Sequence, residues 1–245
     1  MKHVLIVGRP GIGKTLLMKR LAQELRGRPI DGFLTEELRE QGERLGFWLS
    51  SLDGRQVLLA HKQMDSSHRV GDYKVNVAVL DDVGVSILQR ARRQALVLFL
   101  DEIGAMELCS QAFQQAVAEA LDHGPHIVAT GGLHGPPFLD AVKRRKDVEI
   151  IPLSEANGSA VYEELLARLQ ALCDEDEQVR QLQRQADRIC ELIVSGETPG
   201  IDIEIQQEQL RDMVGRMFPD KQALYGLLFE SRFRRLRQQF RGESA

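Results

Sequence analysis

Apolar residues along this chain fall into two rhythms. Short unbroken runs occur at His3–Val7 (HVLIV), within Ala95–Glu102 (ALVLFLDE), at His126–Thr130 (HIVAT) and within Asp147–Leu153 (DVEIIPL). Such runs, apolar without alternation, predict strands buried on both faces, as in a parallel sheet. Between them, apolar residues recur at helical spacing. Residues 14–26 carry a stripe of Leu16, Leu17, Leu21 and Leu25, with Gly27 as a stop and Pro29 beyond it. Further helices are predicted over 81–93, over 108–122 with Ser110 or Glu107 near the start, and over 158–172. Strands alternating with helices imply an α/β fold, a mostly parallel sheet flanked by helices.

Two stretches depart from that rhythm. Gly32–His61 has strand-like segments separated by Gln41-Gly42 and Asp53-Gly54, both hairpin signals, and predicts a β-meander inserted after the first helix. Tyr73–Val79 (YKVNVAV) alternates and predicts one more strand. After Leu172 the composition shifts. The acidic CDEDEQ predicts a hinge, and Val179, Leu182, Ala186, Ile189 and Ile193 give helical periodicity over 177–194. Ser195–Gly200 is expected to be a loop, followed by helices over 204–217 and 220–240. The division expected is a domain at 1–172 and a C-terminal α-helical appendage at 174–245.

Length allows this division: 245 residues can bury one large core or two small ones. A net charge of -4 argues against generic attraction to nucleic acid or membrane. No run approaches the roughly 20 apolar residues that span a bilayer. The three cysteines and the histidines His61 and His68 lack metal-ligand spacing, and an odd cysteine count argues against a disulfide framework. The expectation is a cytoplasmic protein with idle thiols and no membrane partner.

The chemistry sits at strand ends. Gly8-Arg9-Pro10-Gly11-Ile12-Gly13-Lys14-Thr15 follows the first strand and opens the first helix, matching G-x-x-x-x-G-K-[ST]. Glycines let backbone N–H groups curl round phosphates at the positive end of the helix. Lys14 is placed for the β- and γ-phosphates, and Thr15 offers a hydroxyl to Mg²⁺. The strand in LVLFLDEIGAMEL delivers Asp101 to the carboxyl edge of the sheet, the Walker B position, where it holds the metal through a coordinated water. Glu102, directly after it, is placed to polarise an attacking water, which hydrolysis requires and phosphoryl transfer to an acceptor does not. Thr130 ends the next strand, where a polar side chain is a candidate to contact the γ-phosphate or the water, and Gly131–Phe138 is expected to be a mobile rim loop. Arg9, Arg39, Arg44, Arg69 and the run Lys143–Lys146 are candidates for the positive charge that stabilises a transferring phosphoryl group.

Together with DGFLTEELREQGERLGF, RVGDY and RRKDV, in this order and spacing, these motifs resemble the THEP1 nucleoside-triphosphatase family over about residues 1–172. The resemblance implies a RecA/AAA-like P-loop core and slow Mg²⁺-dependent hydrolysis of several nucleoside triphosphates, with broad base tolerance. It implies nucleotide sites at Gly8–Thr15 and along Asp101–Leu108, including Gly104 and Glu107. Ala105 stands where the family often has lysine, and EANG leaves Gly158 where the family often has arginine. Two other readings stand beside hydrolysis: a nucleoside or nucleotide kinase on the same core, and a nucleotide-dependent switch that engages RNA or protein. For the switch, FESRFRRLRQQFR is the candidate surface, with Phe229, Phe233, Leu236 and Phe240 on one helical face among arginines. The plainer expectation is a terminal helix whose phenylalanine face packs inward.

Overall fold

A computed structural model describes residues 2–221 and 223–242. Nine strands form one sheet: β1 (His3–Val7), β2 (Ile30–Glu40), β3 (Glu43–Ser51), β4 (Gln56–His61), β5 (Arg69–Val70), β6 (Tyr73–Val75), β7 (Val97–Leu100), β8 (His126–Gly131) and β9 (Val148–Pro152). Their order is β5-β6-β4-β3-β2-β7-β8-β1-β9. Pairing is parallel from β2 through β7, β8 and β1 to β9, and antiparallel from β2 outward through the meander. Every residue of β7 is buried, as the unbroken apolar run requires. The helices are α1 (Lys14–Glu24), α2 (Val77–Val79), α3 (Val85–Gln94), α4 (Gln111–His123), α5 (Pro137–Lys143), α6 (Gly158–Ser195), α7 (Gly200–Met217), α8 (Ala223–Tyr225) and α9 (Ser231–Arg241).

One core joins Leu5, Phe33, Leu98, Leu100 and Ile127 of the sheet to Ile87 and Leu88 of α3, Phe113 and Val117 of α4 and Leu139 of α5. The α4 start is fixed by Ser110, whose hydroxyl accepts from the Phe113 N–H at 2.9 Å. The meander forms with turns at both predicted pairs. Gln41 and Gly42 take φ of 49° and 86°, the mirror-image turn that suits a hairpin. It is more integral than an insertion, because Ile30–Phe33 of β2 is itself a parallel strand of the core against β7. Gly32 allows that approach: its φ is +135°, and a Cβ there would lie 2.0 Å from the Phe99 carbonyl oxygen.

Three expectations are corrected. The strand over Tyr73–Val79 stops at Val75. Asn76 accepts from the Val79 N–H and caps α2, which continues through a π turn, Leu80–Gly84, into α3. A single capping side chain turns an apolar run that suits either structure into a helix. The acidic CDEDEQ is not a hinge but lies inside α6. With no glycine or proline to stop it, the helix takes its acids as ion pairs, Asp176 with Arg180 and Glu177 with Arg184, each at 2.6 Å. The rim segment is partly helical, since Pro137 opens α5.

The chain divides into two compact units, Met1–Gln170 and Ala171–Ala245. In the second, Leu182, Ala186, Ile189 and Ile193 of α6 share a core with Ile203, Leu210 and Val214 of α7, with Tyr225 and with Phe233. Phe229 and Leu236 pack against it, while Phe240 stays exposed. Arg232 pairs with Asp187 at 2.9 Å. Arg241 donates to the carbonyls of Leu192, Ile193 and Thr198 near the end of α6. Among the described residues, no helix is long and apolar enough to cross a membrane. Among the described residues the three cysteines form no disulfide.

Candidate active site

β1 ends at Val7 and the chain turns through Gly8–Gly13 into α1. Gly8 is confined beneath the loop: a Cβ would lie 2.9 Å from Ile12 Cγ2 and 3.1 Å from the Leu153 carbonyl oxygen. Gly13 caps α1 with φ of 99°, a left-handed turn that presents the helix N-terminus to the cleft. Lys14 is buried; its Nζ donates to the carbonyls of Gly8 at 3.2 Å and Arg9 at 3.3 Å. The loop thus holds its lysine over the hollow where phosphate oxygens would sit.

β7 delivers Asp101, 1% exposed, to the same hollow. Its Oδ1 accepts from the Thr130 hydroxyl at 2.5 Å, and its backbone carbonyl accepts from the Thr35 hydroxyl at 2.5 Å. Its Oδ2 is buried and has no hydrogen-bond partner among the described residues. Burial pushes the Asp101 carboxyl above its ordinary range, while the Thr130 and Thr15 hydroxyls and the Lys14 charge draw it back down. Glu102 places Oε2 3.9 Å from Lys14 Nζ. Burial raises its pKa, Lys14 opposes this, and the Asp101 charge adds to the rise. Glu107, in a 3-10 turn over Glu107–Cys109, is 2% exposed. Burial first, then the charges of Glu102 and Asp101, push its pKa up to about 8.

These groups line one cleft of about 710 Å³. Gly8, Pro10, Gly11, Gly13, Lys14, Thr15, Asp101, Glu102 and Glu107, all nominated from the sequence, line it. Arg9 is exposed on the loop, and Ile12 packs under it against Gly8. Thr130 is fully buried, and its hydroxyl is spent on Asp101. Gly104 is a spacer between two acids: a Cβ there would lie 2.6 Å from Glu102 Oε1 and 3.0 Å from Glu107 Oε2. Gly104→Ala is therefore expected to displace the flexible Glu102 carboxylate, lowering kcat by up to about 10²-fold. Steady-state assays beside a melting curve check this, since nucleotide affinity and stability should change little.

Of the candidate cations, Arg44 lines the cleft and the others do not. Arg39 pairs with Glu37 at 2.6 Å, and Arg69 lies 3.7 Å from Asp72. Lys143 donates to the Leu133 carbonyl at 2.9 Å, and Arg145 is tied to Asp122 and Asp147. Thr35 is one cleft residue that sequence reasoning missed. It lies inside the TEE stretch quoted for the resemblance, yet its partner Asp101 is 66 residues away.

Among the described residues, no group of three His, Cys, Asp or Glu side chains could hold a metal by itself. The donors present are one buried carboxylate with an orphaned oxygen and a neighbouring threonine hydroxyl. That set fits Mg²⁺, which keeps several waters and takes the rest of its shell from substrate phosphates.

A sequence profile of the family described as NTPase matches residues 3–166. Nucleoside-triphosphatase THEP1 of Thermotoga sp. (strain RQ2) is 42% identical over 166 residues, covering 68% of this chain and 94% of that protein. The chain belongs to the THEP1 nucleoside-triphosphatase family. The cancer-related nucleoside-triphosphatase homolog of Mus musculus is 32% identical over 186 residues, 69% of this chain and 97% of that protein. Two solved structures share the THEP1 fold. The crystal structure of THEP1 from Aquifex aeolicus aligns with a TM-score of 0.63 at 33% identity, over 68% of this chain and 98% of that one. The solution structure of a human cancer-related nucleoside triphosphatase aligns with a TM-score of 0.59 at 31% identity, over 70% and 98%. The helices after residue 170 lie beyond the family profile.

Proposed function

We propose that residues 1–172 hydrolyse nucleoside triphosphates, ATP and GTP among them, to the diphosphate and phosphate with Mg²⁺. The observation that carries this is the Glu102 carboxylate in the phosphate-loop cleft, 3.9 Å from Lys14 and directly after Asp101. Gly8–Thr15 binds the phosphates through backbone N–H groups, and Lys14 exchanges its loop carbonyls for β- and γ-phosphate oxygens. Thr15 and Asp101 hold the metal, which when bound neutralises charge across those phosphates. Thr130 and Thr35 fix Asp101 from two sides, and Gly104 and Glu107 form the floor under Glu102. Glu102 orients a water and accepts its proton. The loop reads phosphate rather than base, which supports broad base tolerance.

The test is phosphate release from Mg²⁺-ATP and Mg²⁺-GTP with no acceptor present. Release is expected from both. Phosphate transfer seen only after a nucleoside, nucleotide or sugar acceptor is added would overturn hydrolysis in favour of a kinase.

A further inference from the structure

The sheet order places β2 and β3 on the β7 flank of the phosphate loop, away from β9. The cleft therefore runs from the loop, past Asp101 and Glu102, to a wall formed by the meander. If Lys14 and Thr15 hold the inner phosphates, what lies past Glu102 toward that wall is the terminal phosphoryl group and the attacking water. A transition state there carries charge over three equatorial oxygens. Lys14 reaches the β- and γ-phosphates from the loop side, so the wall side needs a cation of its own.

Arg44 of β3 stands on that wall. Lys19 also lines the cleft, but it is paired with Glu36 at 2.7 Å. The Arg44 guanidinium is held at its near edge. Nε donates to the Tyr73 hydroxyl at 2.9 Å, and Nη1 donates to Glu37 Oε1 at 2.7 Å. The group lies over the Phe47 ring at 5.3 Å and the Tyr73 ring at 5.6 Å. Nη2 donates to no described residue. Three strands of one sheet thus aim an arginine whose planar fork matches phosphoryl oxygens.

We propose that Arg44 is the catalytic arginine, supplied by the chain itself, that contacts the transferring phosphoryl group in the transition state; this rests on the hydrolytic reading above. In the step, a water oxygen forms a new bond to the γ-phosphorus. The bond from phosphorus to the β-phosphate oxygen breaks, and its electron pair stays on the diphosphate. The water proton passes to Glu102 and from it to the released phosphate. Arg44 takes no proton; it shares its donors between Glu37 and the equatorial oxygens.

The experiment compares wild type, Arg44→Ala, Arg44→Lys and Arg39→Ala in kcat and KM for Mg²⁺-ATP. It also measures affinity for ADP alone and for ADP with aluminium fluoride, a mimic of the transferring group. Arg44→Ala is expected to lose about 10²-fold or more in kcat, the low end or somewhat below what such arginines supply. Its ADP affinity should hold while its preference for the fluoride complex disappears. Arg44→Lys should recover only a small part, and Arg39→Ala, which pairs with the same Glu37 outside the cleft, should match wild type. An Arg44→Ala enzyme with wild-type kcat would overturn the proposal. So would one whose affinities for ADP and the fluoride complex fall together, which marks a structural role. If wild type releases no phosphate without an acceptor, the hydrolytic reading fails. The fluoride preference then judges Arg44 on its own: lost in Arg44→Ala supports it, kept refutes it.

Discussion

Glu102→Gln is expected to bind nucleotide nearly as well as wild type and to release phosphate about 10²-fold more slowly or worse, the scale of lost general-base help. The variant keeps the volume and polarity of the side chain and removes its ability to take a proton. Binding should survive because the phosphates are held elsewhere, by the loop, by Lys14 and by the end of α1. Chemistry should not, because the other carboxylates of the cleft are engaged: Glu36 with Lys19 and Ser50, Glu37 with Arg39 and Arg44. Asp101 is buried against Thr130 and Thr35, and Glu107 lies below at 2% exposure. A fluorescent-nucleotide titration beside a phosphate-release assay separates the two effects. An unchanged rate would remove Glu102 from the mechanism.

Glu107 should make the stability of the nucleotide-free protein fall with rising pH. In the folded chain its pKa is pushed up to about 8, against 4.5 for an ordinary glutamate. Between these values the folded state binds more protons than the unfolded one, so stability decreases as pH rises. The contribution is fully present below about pH 4.5 and is gone once pH passes about 8. Its steepest slope is about 1.4 kcal/mol per pH unit. Glu107→Gln mimics the protonated acid at every pH. Its melting temperature should vary less than that of wild type between pH 5 and 9, and should be the higher of the two at pH 9. Melts in a chelating buffer without nucleotide check this; parallel curves for the two proteins would show that Glu107 is ionised without cost.

The elements legible in the sequence were those whose signals are local. The phosphate loop, the β7 run ending in Asp101-Glu102 and both meander turns are each specified within about a dozen consecutive residues. What escaped depends on contacts that the pattern of residues does not spell out, some of them distant in the chain. Thr35 reads as an ordinary strand residue until β2 meets β7 and brings it to the Asp101 carbonyl. The burial of Glu107 follows from the 3-10 turn that tucks it under Glu102, and one glutamate in MEL carries no mark of that. The Val77–Val79 run satisfies strand and helix equally, so the Asn76 cap decides it. Arg39 and Arg44 look alike in sequence. They stand opposite each other across the hairpin and share Glu37, yet Arg44 bonds to Tyr73 and lines the cleft while Arg39 turns back to the Gly42 carbonyl.

β2 works as a beam shared between two structures. Ile30–Phe33 is bonded into the parallel core beside β7, and Phe33–Glu40 is bonded into the hairpin with β3. No loop interrupts it, so the wall opposite the phosphate loop has no hinge on this side. Swinging that wall outward would mean unzipping Phe33 from both neighbours. Nucleotide is therefore expected to enter and leave while the β2 part of that wall keeps its place.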